Sequence, residues 1–531
     1  MEKKKTSFVR GAVILGAAGL LVKIIGAFFR IPLANAIGPI GASYYEVVYP
    51  YYSGLLVISS SGLPTAISKM VSERMTAGDY RGAHNVFTTA MKLLICVGLV
   101  TGALMFFGSN ALASLSTLDE AHYSFKVLAP AMVVVSMMCA YRGYLQGMQR
   151  MTGTALSQVV EQVGKLAIGL TLAIKMLPMG PEFAAMGALI GVAVSELLAL
   201  IVIMLVYNRY RPAIKKRIDQ TEPYEPAPVL KNLILLAVPI TLGASISSLS
   251  GMVDSALIIR ILLKLGYSRD VAQTAYSLLR TNVTTLVNMP GVLTMALAMS
   301  LVPAISAAAA RRDRDGVMSI SCLGLKLALI IGLPCAVGLF VLARPILSML
   351  YPVLTEAQLD LAADLMHTAS VGVIFLSLVQ SMTGVIQGLG KPNVPLFNLF
   401  IGFLLKVSSL LILMNIPSIN IQGASISTVI CYAFAGLADT VYALRRARIE
   451  LDLWDVVLKP LLSSLVMGAM VYMCHDFIAR MGHETIAVLG SVFIGVCVYG
   501  ILAIYLKMFS REELAYIPGG SKLRKLIYGN K

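Results

Sequence analysis

Stretches of about 20 mostly apolar residues follow one another along nearly the whole chain, and each is long enough to cross a bilayer as one helix. Fourteen can be marked: residues 11–33, 44–66, 83–107, 122–145, 155–177, 184–207, 232–263, 272–301, 317–341, 361–387, 394–414, 421–443, 456–475 and 485–506. Hydrocarbon offers no water to satisfy peptide groups, so such stretches must close their own hydrogen bonds as helices. The balance of residues agrees. Across 531 residues, 57% are hydrophobic and only 13% charged, against about 25% charged in a soluble domain. The expected fold is an all-α polytopic membrane protein with about fourteen transmembrane helices.

Charge placement gives an orientation. The termini and the even-numbered loops hold 27 Lys and Arg, and the odd-numbered loops hold four: Lys264, Arg269, Arg344 and Arg480. Basic residues accumulate on the cytoplasmic side, so both termini are expected there, in the cell membrane. The basic Met1–Arg10 segment precedes a first span interrupted by Lys23 and Arg30, which reads as a retained span and not as a cleaved signal. The net charge of +16 sits in short loops and forms no continuous basic face, so a nucleic-acid partner is not expected.

The two halves repeat. Gln146-Gly147 follows span four, and Lys165 comes nineteen residues after Gln146; Gln387-Gly388 follows span ten, and Lys406 comes nineteen after Gln387. Gly62-Leu63-Pro64-Thr65-Ala66-Ile67-Ser68 is matched by Leu301-Val302-Pro303-Ala304-Ile305-Ser306, and each leads to a charged loop, Asp79-Tyr80-Arg81-Gly82 or Arg312-Asp313-Arg314-Asp315-Gly316. Matching sites lie six spans apart, and an even offset makes the repeat parallel. The expected organisation is an N-lobe over 1–207, a cytoplasmic linker over 208–231, a C-lobe over 232–444, and two extra helices with a cytoplasmic tail over 445–531. Two six-helix lobes would face a central cavity and rock to alternate access.

Several spans carry a cation near their middle: Lys23 and Arg30, Lys165, Arg280, Lys406. A charge in hydrocarbon is costly, and such residues normally face a bundle interior or a wet cavity. Lys23 and Arg30 are two helical turns apart and share a face with Gly26 between them. Arg280 lies beside Thr281, Asn282, Thr284 and Thr285, a polar run that suits a cavity wall. Lys165 has Glu161 one turn away, an arrangement that lowers the cost of both charges; Glu196 or Asp439 can pair with these cations across helices. Asp254, amid Ser247, Ser248, Ser250 and Ser255, offers the oxygen ligands a hard cation prefers. It is the expected ion-coupling residue together with Glu196. Tyr44, Tyr45, Tyr49, Tyr51 and Tyr52 read first as an interfacial belt, with sugar stacking as the alternative. The seven cysteines fall in apolar segments without metal spacing, and no GxSxG, HExxH or P-loop occurs, so neither a metal site nor an enzyme is expected.

With the repeat established, the chain resembles the MOP superfamily of multidrug exporters, polysaccharide flippases and MurJ-type lipid II flippases. It is most similar to the stage V sporulation protein B and YtgP group. The residues carrying the resemblance are Asn288-Met289-Pro290-Gly291-Val292, Pro303, Gly324-Leu325-Lys326-Leu327, Leu333-Pro334 and Arg344-Pro345, with Lys23-Ile24-Ile25-Gly26 and Arg30 in span one. What the resemblance implies is a flippase for an undecaprenyl-pyrophosphate-linked peptidoglycan precursor or related lipid-linked oligosaccharide. Lys23, Arg30, Lys165, Arg280 and Lys406 would meet its pyrophosphate. No cofactor would be needed beyond Na⁺, H⁺ or membrane potential, and the partners would be membrane lipids and cell-wall or sporulation machinery. The alternative is an exporter of organic cations. Such a protein wants an acidic interior, whereas the spans hold about twelve Lys and Arg against six Asp and Glu.

Overall fold

The computed structural model describes residues 2–220, 229–448, 451–510 and 513; the side chains of 2–17, Leu20, Lys23, Ser60, Pro239 and Ser247 lie outside that description. Part of the expected linker, 221–228, and most of the tail therefore lie outside the described residues. What is described is helical almost throughout: α1 Glu2–Ser60, α2 Gly62–Thr76, α3 Tyr80–Phe107, α4 Ser109–Leu115, α5 His122–Gly147, α6 Met151–Gly164, α7 Leu170–Met176, α8 Pro181–Asp219, α9 Val229–Lys264, α10 Arg269–Ser277, α11 Thr284–Ala310, α12 Arg314–Val341, α13 Ala343–Leu350, α14 Glu356–Gly388, α15 Asn393–Leu413, α16 Gln422–Ala447, α17 Lys459–Ala479 and α18 Glu484–Tyr505. Three wider, π-type turns interrupt the regular pattern, at Lys165–Gly169, Leu278–Val283 and Trp454–Leu458.

Twelve helices among the described residues, not fourteen, are individually long and apolar enough to cross a membrane. The difference arises at two places. The first candidate runs from Ile24 to Thr76, 53 residues, about 80 Å of helix at 1.5 Å per residue, which no single crossing of a core about 30 Å thick can absorb. It bends at Gly38, whose φ of 69° and ψ of 176° lie off the helix; a side chain is disfavoured there, and Pro39 keeps the preceding residue out of helical geometry. The second place is the stretch expected as span five, where the π turn at Lys165–Gly169 divides α6 from α7 and leaves neither long enough alone.

The chain packs as two compact units, Met1–Ser277 and Leu278–Lys531. In the first, α3 lies on α5, α5 on α8, and α6 and α7 on α8, while α9 runs along α1 and α2. In the second, α11 and α12 pack on α14, α14 and α15 on α16, and α17 on α12 and α18. The sequence repeat is visible as repeated local geometry. Asp79 caps α3 by accepting from the Gly82 N–H at 2.7 Å, and Asp313 caps α12 by accepting from the Gly316 N–H at 2.8 Å. Gly147 approaches Val71 so closely that a Cβ would lie 2.7 Å from it, and Gly388 approaches Ile305 in the same way at 2.8 Å. Both glycines let a helix end close on the helix that carries the matched proline motif, Pro64 in α2 and Pro303 in α11.

The tyrosines of the second half of α1 correct the expectation of an interfacial belt. Tyr44, Tyr45, Tyr51 and Tyr52 are buried in protein, and the Tyr45 and Tyr49 rings stack at 5.3 Å. Beyond the bend at Gly38 this half of α1 meets other helices: the Tyr52 hydroxyl donates to Glu196 of α8, the Tyr51 ring packs edge-on to Phe125 of α5, and the Glu46 carbonyl accepts from Tyr276 of α10. Large apolar side chains on α17 and α18, among them Leu465, Val466, Phe477, Val492, Phe493 and Val496, are exposed instead, as lipid-facing residues are.

Candidate functional site

Several charged residues of the first unit's apolar helices come together in one cluster. Lys165 Nζ lies 2.8 Å from Glu161 and 3.6 Å from Glu196. Arg142, from α5, donates to Glu161 at 3.1 Å and to the Ser157 hydroxyl at 3.0 Å. Glu196 also accepts from the Tyr52 hydroxyl at 2.5 Å. Arg30 and Glu46 form a further pair at 3.3 Å across the bend of α1. Glu46, Lys165 and Glu196 are buried; only Arg30 keeps a quarter of its side chain exposed.

Backbone packing puts these groups together. A Cβ on Gly164 would stand 2.7 Å from Ser195 Cβ, and one on Gly191 would stand 2.2 Å from the Gly169 Cα. The π turn that begins at Lys165 can therefore lie directly on α8, one residue from Glu196. A π turn offsets the helix face by one position and is found disproportionately at functional sites. The cluster holds three cations, Arg30, Arg142 and Lys165, and three carboxylates, Glu46, Glu161 and Glu196. Each buried charge thus has an opposite one, the condition under which burial is tolerated.

The site residues expected from the sequence fall as follows. Lys165, Glu196 and Arg30 belong to this cluster; the backbone of Lys23 is in α1, but its side chain lies outside the described residues. Asp254 is buried in α9, next to Ser255, whose hydroxyl donates to the Val47 carbonyl at 2.9 Å and lies 3.3 Å from the Ser116 hydroxyl. In the second unit, Arg280 sits inside the π turn Leu278–Val283, flanked by the buried Thr281, Asn282 and Thr285. Lys406 is buried in α15. Asp439 in α16 accepts from the Asn398 side chain at 2.7 Å.

Three groups escaped the sequence reading. Arg142 and Glu46 join the cluster through partners 19 and 16 residues away, spacings that no single-helix rule flags. Lys326 is fully buried in α12 and pairs with Asp455 and, at 3.0 Å, with Glu513, while Lys459 reaches Asp455 at 2.7 Å. This network fastens α17 and Glu513 to α12. A lysine in the middle of Gly324-Leu325-Lys326-Leu327 was the available signal. Each of the three π turns carries a charged residue, Lys165, Arg280 and Asp455.

A polysaccharide biosynthesis protein family model matches residues 8–309, more than half of the chain. The chain belongs to that family. A MatE family model matches residues 239–412. Over 516 residues, 97% of the chain and 98% of the relative, it is 25% identical to the stage V sporulation protein B of Bacillus subtilis (strain 168). It is 23% identical to the lipid II flippase MurJ of the same organism over 484 residues, 88% of this chain and 87% of that one. Among solved structures, lipid II flippase MurJ in an inward closed conformation superposes with a TM-score of 0.71 at 17% identity, covering 93% of this chain and 99% of that chain. The fold is thus the all-helical fold of the MOP superfamily, and the chain is a MurJ-like member of it. Its series of long apolar helices makes it a multi-pass membrane protein.

Proposed function

We propose that this chain flips a polyprenyl-pyrophosphate-linked saccharide of the lipid II class from the cytoplasmic to the outer leaflet, with both termini cytoplasmic. The observation carrying the reading is the set of cations held within apolar helices of both units, Arg30 and Lys165 in one and Arg280 and Lys406 in the other. Guanidinium groups meet a pyrophosphate with paired N–H donors, and lysines add point charge. Similarity over 88% of the chain to a protein named lipid II flippase supports the same cargo class. The exposed apolar faces of α17 and α18 suit a polyprenyl tail that must remain in hydrocarbon while its head crosses. Asp254 and Glu196 are proposed as the ion-coupling carboxylates, able to bind H⁺ or to offer oxygen to Na⁺.

The test is rescue. Expression of this chain in a bacterium depleted of its own MurJ should restore growth and the appearance of lipid II in the outer leaflet. Failure of both with the protein correctly inserted would overturn the cargo assignment. The MatE match over 239–412 favours a second reading, export of organic cations; raised resistance to cationic dyes without rescue would select it.

Orientation has its own test. Single cysteines introduced at Ser114 and Ser418, both exposed, should react with an impermeant reagent added from outside, and one at Gln220 should not. External labelling at Gln220 would reverse the orientation. Ser116, nominally the middle of the same external loop, is buried against Ser255 and would stay unlabelled on either side.

A further inference from the structure

The loop expected outside the cell between spans three and four contains α4, Ser116 and Glu120. It meets the ends of α9 and α10 that are expected on the same side, all within the first unit. The contact has two layers. In the outer one, Arg260 of α9 donates to the last-turn carbonyls of α4, Ser114 at 3.2 Å and Leu115 at 3.0 Å, the helix end that favours a cation. Arg269, the first residue of α10, holds the Glu120 carboxylate with two nitrogens, one of them at 3.0 Å. The Tyr44 hydroxyl donates to the same carboxylate at 3.4 Å. One to two turns deeper on the same helices lies a neutral layer. The Ser255 hydroxyl donates to the Val47 carbonyl at 2.9 Å and lies 3.3 Å from the Ser116 hydroxyl, and Tyr276 donates to the Glu46 carbonyl at 2.9 Å. Ser116, Ser255 and Tyr276 are fully buried, whereas Arg260 and Arg269 are exposed.

We propose that these two layers form an outward gate, in which Arg260 and Arg269 fasten α9 and α10 to the loop through α4 and Glu120 while the path to the outside is shut. The gate rests on the flippase reading and on the rocking lobes expected from the repeat. That repeat counts α9 and α10 with the C-lobe, and α1 and α4 with the N-lobe, so rocking has to break and remake these contacts. Their chemistry suits such use. Exposed ion pairs are weak, because water competes for both partners and salt screens them. The deeper groups are hydroxyls and backbone carbonyls, whose hydrogen bonds water can replace once the seam parts. An ionic fastening over a neutral hydroxyl layer therefore closes the seam without holding it permanently.

The test places a reporter beneath the ionic layer. In right-side-out vesicles holding the full chain, Ser116→Cys should react slowly with an impermeant maleimide added outside, read on its own peptide by mass spectrometry. Adding Arg260→Gln/Arg269→Gln should speed that reaction about three- to tenfold, the effect of losing two solvent-exposed charge contacts. Arg269→Glu should also speed it, and Arg269→Glu/Glu120→Arg, which restores the pair with its signs exchanged, should return the rate close to that of Ser116→Cys alone. An unchanged rate in the double glutamine variant overturns the gate. So does a charge-exchanged variant as fast as the single reversal, because pairing would then have no part in closure. Should the variants insert poorly, Ser116→Cys alone is compared at low salt and at about 1 M salt, where the screening length is about 3 Å. Faster labelling at high salt supports the gate, and equal labelling overturns it. Acceleration found only in inverted vesicles would put the seam on the cytoplasmic face and overturn an outward gate. These readouts need no cargo, so a failed lipid II rescue leaves them separately decidable.

Discussion

Lys165→Met should cost about 3–5 kcal/mol of stability, because it leaves Glu161 and Glu196 buried with a cation removed from between them. Arg142 still compensates Glu161, but among the described residues Glu196 would keep only the Tyr52 hydroxyl. Thermal unfolding can be followed by reaction of the seven free cysteines with a fluorogenic thiol reagent. A midpoint equal to wild type would show that the cluster does not hold the fold. The informative companion is the double variant Lys165→Met/Glu196→Gln, which leaves the Arg142–Glu161 pair intact. Replacing both members of a buried ion pair with neutral side chains of similar volume is often nearly neutral for stability, so most of the lost midpoint should return. If the charges also serve transport, the double variant stays inactive although stable. Recovery of both properties would make the cluster purely structural.

Arg280→Ala should reduce export of the lipid-linked cargo roughly 10- to 100-fold, the value of one charge-assisted contact of about 1.5–3 kcal/mol. The protein should still insert, since Arg280 is only half-buried and lies in a π turn already free of strict α-helical register. Arg280→Lys should fall between, keeping the charge and losing the fork. Lys23→Ala is expected to act in the same direction. The readout is lipid II in the outer leaflet, normalised to the amount of inserted protein. Normal export by both alanine variants would refute an anionic cargo. Loss of the protein itself would assign Arg280 a structural role.

Much of the site was legible where the physics is local. The Glu161–Lys165 pair follows from one-turn spacing, and the cost of isolated charges in hydrocarbon singles out Arg30, Lys165, Arg280 and Lys406 from the amino-acid order alone. Arg142, Glu46 and Lys326 were not legible as members of ionic groups. Their partners lie on other helices or across a bend, and a hydropathy pattern carries no information about which helices touch. The tyrosines failed for the same reason: Tyr44 to Tyr52 look interfacial along the chain and become interior only once Gly38 turns α1 inward.

Helical class and membrane residence were already settled by the amino-acid order, because a peptide group in hydrocarbon has one way to be satisfied within its own segment. The internal repeat was settled as well: Asp79 and Asp313, Gly147 and Gly388, recur in sequence and then in geometry. Only tertiary packing decided that three cations, Arg30, Arg142 and Lys165, would stand against three carboxylates, Glu46, Glu161 and Glu196. That balance depends on distances of 2.8–3.6 Å between residues on different helices or turns, and glycines at 164 and 191 make the approach possible. Side-chain electrostatics acts over a few ångströms in space, and the chain's order alone does not specify those distances.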